Sequence, residues 1–406
     1  MLRLFAPRIP GTFTTLRLGN GAVCTVDTRP GSSLQRMPHD TRVSSGLVET
    51  FTIPTSTPES DGTASWDSTT VVVVQLTAGA HTGLAYTYTY EAAADICAYL
   101  IHKEVLSKDV HFIPKIHLDM DRAVRNMGRP GLVSCAIAAI DNCLWDLKAR
   151  MLGLPLLQLL GAARDQIAAY GSGGFTSYTD KELIEQVSNW AEEGFSCVKM
   201  KVGRDPHRDP HRIKEVQKAL GGRAKLYVDA NGAFHPKTAL EKSREYADLG
   251  AVWFEEPVSS DDRSGLNFVR EHCPPRICVA AGEYAYVPDD FRLLIQAEAV
   301  DVLQADGTRC GGISNFLEAA GACEMFHLPL SAHTSPSLHA TLCCALTPAM
   351  NVEYFYDHYR IESMIFDGAV LARKGMLAPD QTRPGLGLQL KELDAAKFRV
   401  SRKTVS

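Results

Sequence analysis

The sequence predicts an α/β protein in which an α+β domain precedes a (β/α)-barrel. Three observations carry this. Beyond Gly161, short apolar segments recur roughly every 20–28 residues with helical stretches between them, the rhythm of repeated βα units. There are eight such segments: IAAYGSGG, CVKMKVG, LYVDANG, VWFEEPV, CVAAGEY, VDVLQADG, PLSAHTS and NVEYFYD. Eight is the number that closes a parallel barrel, whose functional residues gather at the C-terminal strand ends. Before Gly161 the order is different, with strands first and helices after.

Taken in chain order, residues 1–42 come first. They hold six arginines and only Asp27 and Asp40 as acids. They read as a disordered extension, or as a start placed too early with Met37 as the true one. An organelle-targeting segment is the alternative. Residues 43–160 form the α+β domain. Strands are expected at 48–53 and 70–76, the latter a β-branched VVVVQL run. Residues 54–68, PTSTPESDGTASWDS, are polar and turn-rich around Trp66 and read as a functional or mobile loop. The helix CAIAAIDNCLWDLKARMLG starts at Cys135 and stops at Gly153 and Pro155. The barrel occupies 161–365, and residues 366–400 are expected to pack back on the N-terminal domain.

Composition narrows the classes. A net charge of -5 and a pI near 6.2 favour neither nucleic acid nor an anionic membrane. No apolar run is long enough to span a bilayer. The eleven cysteines are scattered and fit no zinc spacing, which points to reduced thiols in a cytoplasmic protein.

Chemistry concentrates at the strand ends. Lys199 and Lys201, Asp229 with Asn231, Glu255 with Glu256, Glu283, Asp306, His333 and Glu353 come from seven successive strands. So many like charges on one rim would repel unless something binds them. Asp229, Glu255 and Glu283, from consecutive strands, form a hard oxygen site of the kind Mg²⁺ prefers. Glu256 faces the other side of its strand and is expected in a salt bridge instead. Lys199 and Lys201 share a face, and their mutual repulsion, with the metal, is expected to lower the pKa of a lysine base. Asp306 and His333 end adjacent strands, where the carboxylate would fix the imidazole tautomer. Lys201 and His333 would then flank a substrate held on the metal. RDPHRDPHR, with His207 and His211, reads as a solvated charged loop, and His272, His327 and His339 as structural.

As a set, the helix AIAAIDNCLWDLKARMLGLPLLQLLG with KMK, VDANG, FEEP, AGE, ADGTRCGG and SAH resembles the enolase superfamily, mandelate racemase subgroup. The resemblance spans about residues 43–400. It implies an enolase-type modified TIM barrel under an N-terminal capping domain, with one Mg²⁺ per subunit on Asp229, Glu255 and Glu283. It implies Lys201 and the His333–Asp306 pair as bases, and Lys199 as the first lysine of the family pair. It implies that Glu353 donates a hydrogen bond to the substrate carboxylate and that residues 54–68 form the mobile capping loop. Where muconate cycloisomerases and dipeptide epimerases carry a second lysine on strand six, this chain has Asp–Gly–Thr–Arg–Cys. Its Arg309 is no useful base. Residues 85–89, AYTYT, replace a Gly–Glu common among relatives.

The expected function is α-proton removal from a carboxylate substrate through an ene-diolate. The leading form is a lyase dehydrating a sugar acid to a 2-keto-3-deoxy acid. The alternative is a racemase or epimerase of an α-hydroxy acid or amino-acid derivative, and a third reading is a barrel that has lost catalysis. Trp66, Tyr86, Tyr88, Ser172, Phe175 and Asn231 are the expected substrate-pocket residues. A homo-oligomer is the expected assembly.

Overall fold

The computed structural model describes residues 13–17, 23–27 and 40–406. Within the N-terminal extension, β1 (Phe13–Arg17) pairs antiparallel with β2 (Val23–Asp27). The rest of the expected disordered or targeting segment lies outside the described residues, apart from its last three positions.

The capping layer is an antiparallel sheet of β3 (Val43–Ser60), β4 (Ser65–Ala78) and β5 (His81–Tyr88), completed by β17 (Arg399–Val405) beside β3. Helices α1 (Ala93–Leu100), α2 (Ile113–Ala123), α3 (Leu132–Met151) and α4 (Leu156–Leu160) follow. Helix α3 is apolar nearly all round because it is covered on both sides. It lies so close to β5 that a Cβ on Gly83 would sit 2.6 Å from Leu147 Cβ and 2.7 Å from Cys143 O. Its polar residues join the layers. Asn142 Oδ1 accepts from Ile313 N at 2.8 Å and Asp141 Oδ2 from Ser314 N at 3.0 Å, which satisfies the start of a barrel helix.

Eight strands close the barrel: β6 (Ile167–Gly173), β7 (Cys197–Lys201), β8 (Lys225–Asp229), β9 (Ala251–Glu255), β10 (Cys278–Ala281), β11 (Val302–Ala305), β12 (Leu330–Ala332) and β13 (Ala349–Phe355). Each neighbouring pair is parallel, and β13 returns to β6. Between and after them run α5 (Asp180–Glu192), α6 (Asp209–Leu220), α7 (Pro236–Asp248), α8 (Arg263–His272), α9 (Pro288–Gln296), α10 (Ile313–Met325), α11 (Pro336–Ala345) and α12 (Tyr356–Ile365). No helix among the described residues is long and apolar enough to cross a membrane.

Three expectations need correction. Residues 54–68 are not an open loop. β3 and β4 pair through Glu59–Trp66 and Ser60–Ser65, with a tight turn between. Asp61 Oδ1 holds that turn by accepting from Thr63 N and Ala64 N, both at 2.7 Å. The charged RDPHRDPHR stretch is not simply solvated, because α6 begins inside it and buries Asp209 and Arg212. The C-terminal segment serves both layers. β14 (Phe366–Asp367) pairs with β16 (Gln389–Leu390), while β15 (Met376–Leu377) adds to the start of β6. After α13 (Glu392–Ala396), β17 enters the capping sheet.

Candidate active site

Successive strand residues face opposite sides, so residues two apart share a face. That alternation brings Lys199, Lys201, Asp229, Glu255 and Glu353 to one polar mouth at the ends of β7, β8, β9 and β13. Glu283, Asp306 and His333 stand just beyond β10, β11 and β12. All are buried.

One carboxylate oxygen from each of Asp229, Glu255 and Glu283 lies within 4.8 Å of the others. Six buried carboxylates gather around this point and the neighbouring dyad: Asp229, Glu255, Glu256, Glu283, Asp306 and Glu353. Among the described residues, the lysine and arginine side chains facing them are Lys199, Lys201 and Arg309. Glu283 Oε2 and Glu256 Oε1 are buried and have no hydrogen-bond partner among the described residues. Buried carboxylates left short of partners, with oxygen donors throughout, fit a hard divalent cation.

Glu256 departs from the sequence expectation. Its φ of 37° breaks the alternation after β9, and it makes no salt bridge among the described residues. Burial pushes its carboxyl well above the usual range, and Glu283, Asp229 and Glu255 reinforce the shift. It is not among the three carboxylates that converge within 4.8 Å.

Both lysines are ion-paired to the carboxylates. Lys199 Nζ contacts Glu255 Oε1, lies 2.8 Å from Glu353 Oε1 and sits over the Tyr170 ring. Lys201 Nζ is 2.6 Å from Asp229 Oδ2. Burial pulls each ammonium down, but the carboxylates outweigh both burial and lysine–lysine repulsion. Both lysines are held above the ordinary lysine range. The pairwise repulsion expected from the KMK spacing is real and is the smaller effect.

His333 Nδ1 lies 2.8 Å from Asp306 Oδ2, and its Nε2 is 3.4 Å from Glu283 Oε2. Burial alone would raise the Asp306 carboxyl, but His333 and then His339 and Arg309 hold it below the usual range. His339 sits behind the pair: its Nδ1 side bonds Thr334 O at 2.7 Å, leaving Nε2 to accept from Gly307 N at 2.8 Å. Burial lowers its pKa, which keeps that imidazole neutral.

Glu353 accepts from Ser172 Oγ at 2.5 Å and Thr334 N at 3.2 Å. Burial would raise the Glu353 carboxyl, but Lys199, and then His333 and Lys201, hold it below the usual range. Ser172 thus spends its proton on Glu353. Asn231, at φ 46°, donates its backbone N–H to Asp229 Oδ1 at 2.9 Å, and its own Oδ1 is buried without a partner among the described residues. Trp66 Nε1 donates to Glu59 at 2.9 Å, and its ring meets Phe175 edge-on. Burial, reinforced by Asp357, pushes Glu59 up to about 8. Tyr86 does not belong with these groups. It is fully buried between cap and barrel, with its hydroxyl donating to Glu362 Oε1 at 2.6 Å. Tyr88 stacks on His358 beside it.

The hairpin tip closes over the mouth. Thr176 N donates to Ser60 O at 2.7 Å, and Arg204 Nε to Asp61 O at 3.1 Å. Thr63 Oγ1 donates to Asn231 O at 3.3 Å.

Two known domain families match the chain. The mandelate racemase / muconate lactonizing enzyme N-terminal domain matches residues 48–161, and the enolase C-terminal domain-like family matches 182–394. An L-talarate/galactarate dehydratase of Salmonella typhimurium is 31% identical over 315 residues, 76% of this chain and 77% of that protein. A mandelate racemase/muconate lactonizing enzyme-like protein from Rubrobacter xylanophilus superposes with a TM-score of 0.86 at 44% identity, covering 88% of this chain and all of that one (100%). An L-talarate dehydratase from Polaromonas sp. JS666, complexed with Mg and L-glucarate, gives a TM-score of 0.81 at 30% identity over 90% of this chain and 99% of its own.

Proposed function

The chain belongs to the mandelate racemase and muconate lactonizing enzyme group of the enolase superfamily, and on that premise we propose that it dehydrates a sugar acid using Mg²⁺ held by Asp229, Glu255 and Glu283. The observation that carries this reading is the placement of two acid–base groups around the carboxylate trio. Lys201 stands 2.6 Å from Asp229, and His333 stands 3.4 Å from Glu283. When bound, the cation supplies positive charge beside the substrate carboxylate, lowers the cost of removing the adjacent proton, and takes up carboxylate charge that otherwise holds the lysines protonated.

The residues then have separate tasks. Lys201 takes the α-proton on one face. His333, oriented by Asp306, gives a proton to the β-hydroxyl as its carbon–oxygen bond breaks, so water leaves. The enol left behind becomes the 2-keto-3-deoxy acid. Lys199 and Glu353 fix each other and the wall between the two bases. The dehydratase names of the Salmonella and Polaromonas relatives, and the glucarate bound to the latter, support a sugar diacid among the substrates.

Incubation with Mg²⁺ and a library of mono- and diacid sugars in D₂O tests this. A 2-keto-3-deoxy acid is the expected product. Deuterium exchange with inversion and no keto acid would make the enzyme a racemase or epimerase instead. Neither turnover nor exchange would sink both readings.

A further inference from the structure

We propose that Arg212 is a positioning residue for Lys201, an assignment that rests on the role given to Lys201 above. Arg212 lies in the first turn of α6 and ends RDPHRDPHR, yet it is only 4% exposed. Its guanidinium donates to three backbone carbonyls: Lys201 O at 2.7 Å, Phe175 O at 2.9 Å and Gly174 O at 3.1 Å. Gly174 O also accepts from Lys201 N at 3.1 Å. The peptide units on both sides of the Lys201 Cα are thereby pinned, one to the exit of β6 and the other to Arg212. Val202 N then bonds Asp229 O at 2.8 Å. Asp209 extends the clamp, its Oδ2 accepting from Gly203 N at 2.8 Å and Tyr246 Oη at 3.1 Å.

Charge makes this arrangement informative. Burying a cation is costly, and the carboxylate nearest to Arg212, that of Asp209, is 3.8 Å away. The guanidinium is therefore solvated mainly by carbonyls. A planar fork with five donors can span two strand ends, which an ammonium or an apolar side chain cannot do. The long, flexible Lys201 side chain needs a fixed origin if its ammonium is to meet one carbon of a substrate. His333 has a separate anchor, its N–H bonding Ala305 O at 2.9 Å and its ring bonding Asp306.

The test compares wild type with Arg212→Lys and Arg212→Met, reading α-proton exchange in D₂O, the step given to Lys201, in the wild-type and in the His333→Asn background, with Mg²⁺ affinity and Tm measured beside it. Small misplacements of a reacting group cost up to about 10²-fold. Exchange should slow about 10- to 100-fold in both backgrounds while Mg²⁺ affinity stays within about threefold. Unslowed exchange, or a loss matched by an equal loss of Mg²⁺ affinity, would make Arg212 a plain fold-stabilising residue and overturn the assignment. Crystal structures of wild type and Arg212→Lys decide the anchoring without turnover. A displacement of the Lys201 ammonium by about 0.5 Å or more is expected, the tolerance of a working site. An unmoved Lys201 overturns the proposal. Absence of exchange in wild type would instead remove the functional reading, and the crystal comparison would still stand as the test of the clamp.

Discussion

Nδ1 of His333 lies 2.8 Å from Oδ2 of Asp306, while Oδ1 of Asp306 is already held by the Thr308 backbone and hydroxyl, both at 2.7 Å. The carboxylate cannot rotate away, so it sets which imidazole nitrogen carries the proton. Asp306→Asn should therefore fold and bind metal normally but lower kcat by at least about tenfold. His333→Asn should lose about 10²–10⁴-fold, the usual worth of general acid–base help. A fully active Asp306→Asn enzyme beside an inactive His333→Asn one would mean that His333 works alone.

Metal dependence follows from the carboxylate trio. Stripping with EDTA should abolish turnover, and Mg²⁺ should restore it. Glu255→Gln replaces a hard anionic ligand with an amide and also leaves Lys199 with one partner fewer. Residues behind a metal ligand already cost about 10–100-fold in affinity when mutated, so the ligand itself should cost at least that. Calorimetric titration with Mg²⁺ reads this directly, and unchanged affinity would remove Glu255 from the ligand set.

Much of the site was legible because a strand shows its faces in sequence. Lys199 and Lys201 read as one face, and Asp306 and His333 as neighbours, from spacing alone. What spacing does not reveal is conformation between the elements. Glu256 takes a left-handed φ that no pattern announced, which breaks the strand alternation. Tyr86 sits on a predictable strand, but its burial depends on Glu362, 276 residues later. Arg212 is hidden in a charged run in which His207 and Arg208 are exposed. The hairpin at 54–68 is polar because its tip meets backbone carbonyls, not because it is unpaired.

The link between cap and barrel should respond to pH. His117 Nδ1 lies 3.0 Å from Asp141 Oδ1, and Asp141 also holds Ser314 at the start of α10. Burial pulls His117 down, but Asp141 more than compensates, so its pKa is raised. A raised folded-state pKa gives stability that is full below the unfolded value of about 6.5 and is lost as pH rises through the folded one. The Tm gap between wild type and His117→Gln should be wider at about pH 5.5 than at about pH 9. A gap that does not change with pH would show that this contact is not an ion pair.

Closure of the hairpin depends on Gly62. A Cβ there would fall 2.3 Å from Ala230 O and 2.8 Å from Val202 O, both backbone atoms of the barrel mouth. Gly62→Val should lift the tip and release the contacts of Asp61 and Thr63. Because the tip lies outside the barrel core, Tm should change little, while kcat/KM should fall by about 10–100-fold as positioning and water exclusion are lost. A variant as active as wild type would mean that the closed hairpin plays no part in turnover.

The last prediction separates the two bases. Lys201 is tied to Asp229 at one end of the carboxylate trio and His333 to Glu283 at the other, so each addresses a different face of a substrate held between them. Lys201→Ala should therefore abolish α-proton exchange and dehydration together. His333→Asn should still exchange the α-proton in D₂O while failing to expel the β-hydroxyl, because the acid is gone and the base remains. The proton inventory makes this asymmetric outcome specific to a dehydratase. In a racemase each variant would instead exchange one enantiomer alone, since either group can serve as base. NMR of recovered substrate distinguishes these patterns. Losses below about tenfold in both variants would mean that neither group carries the proton.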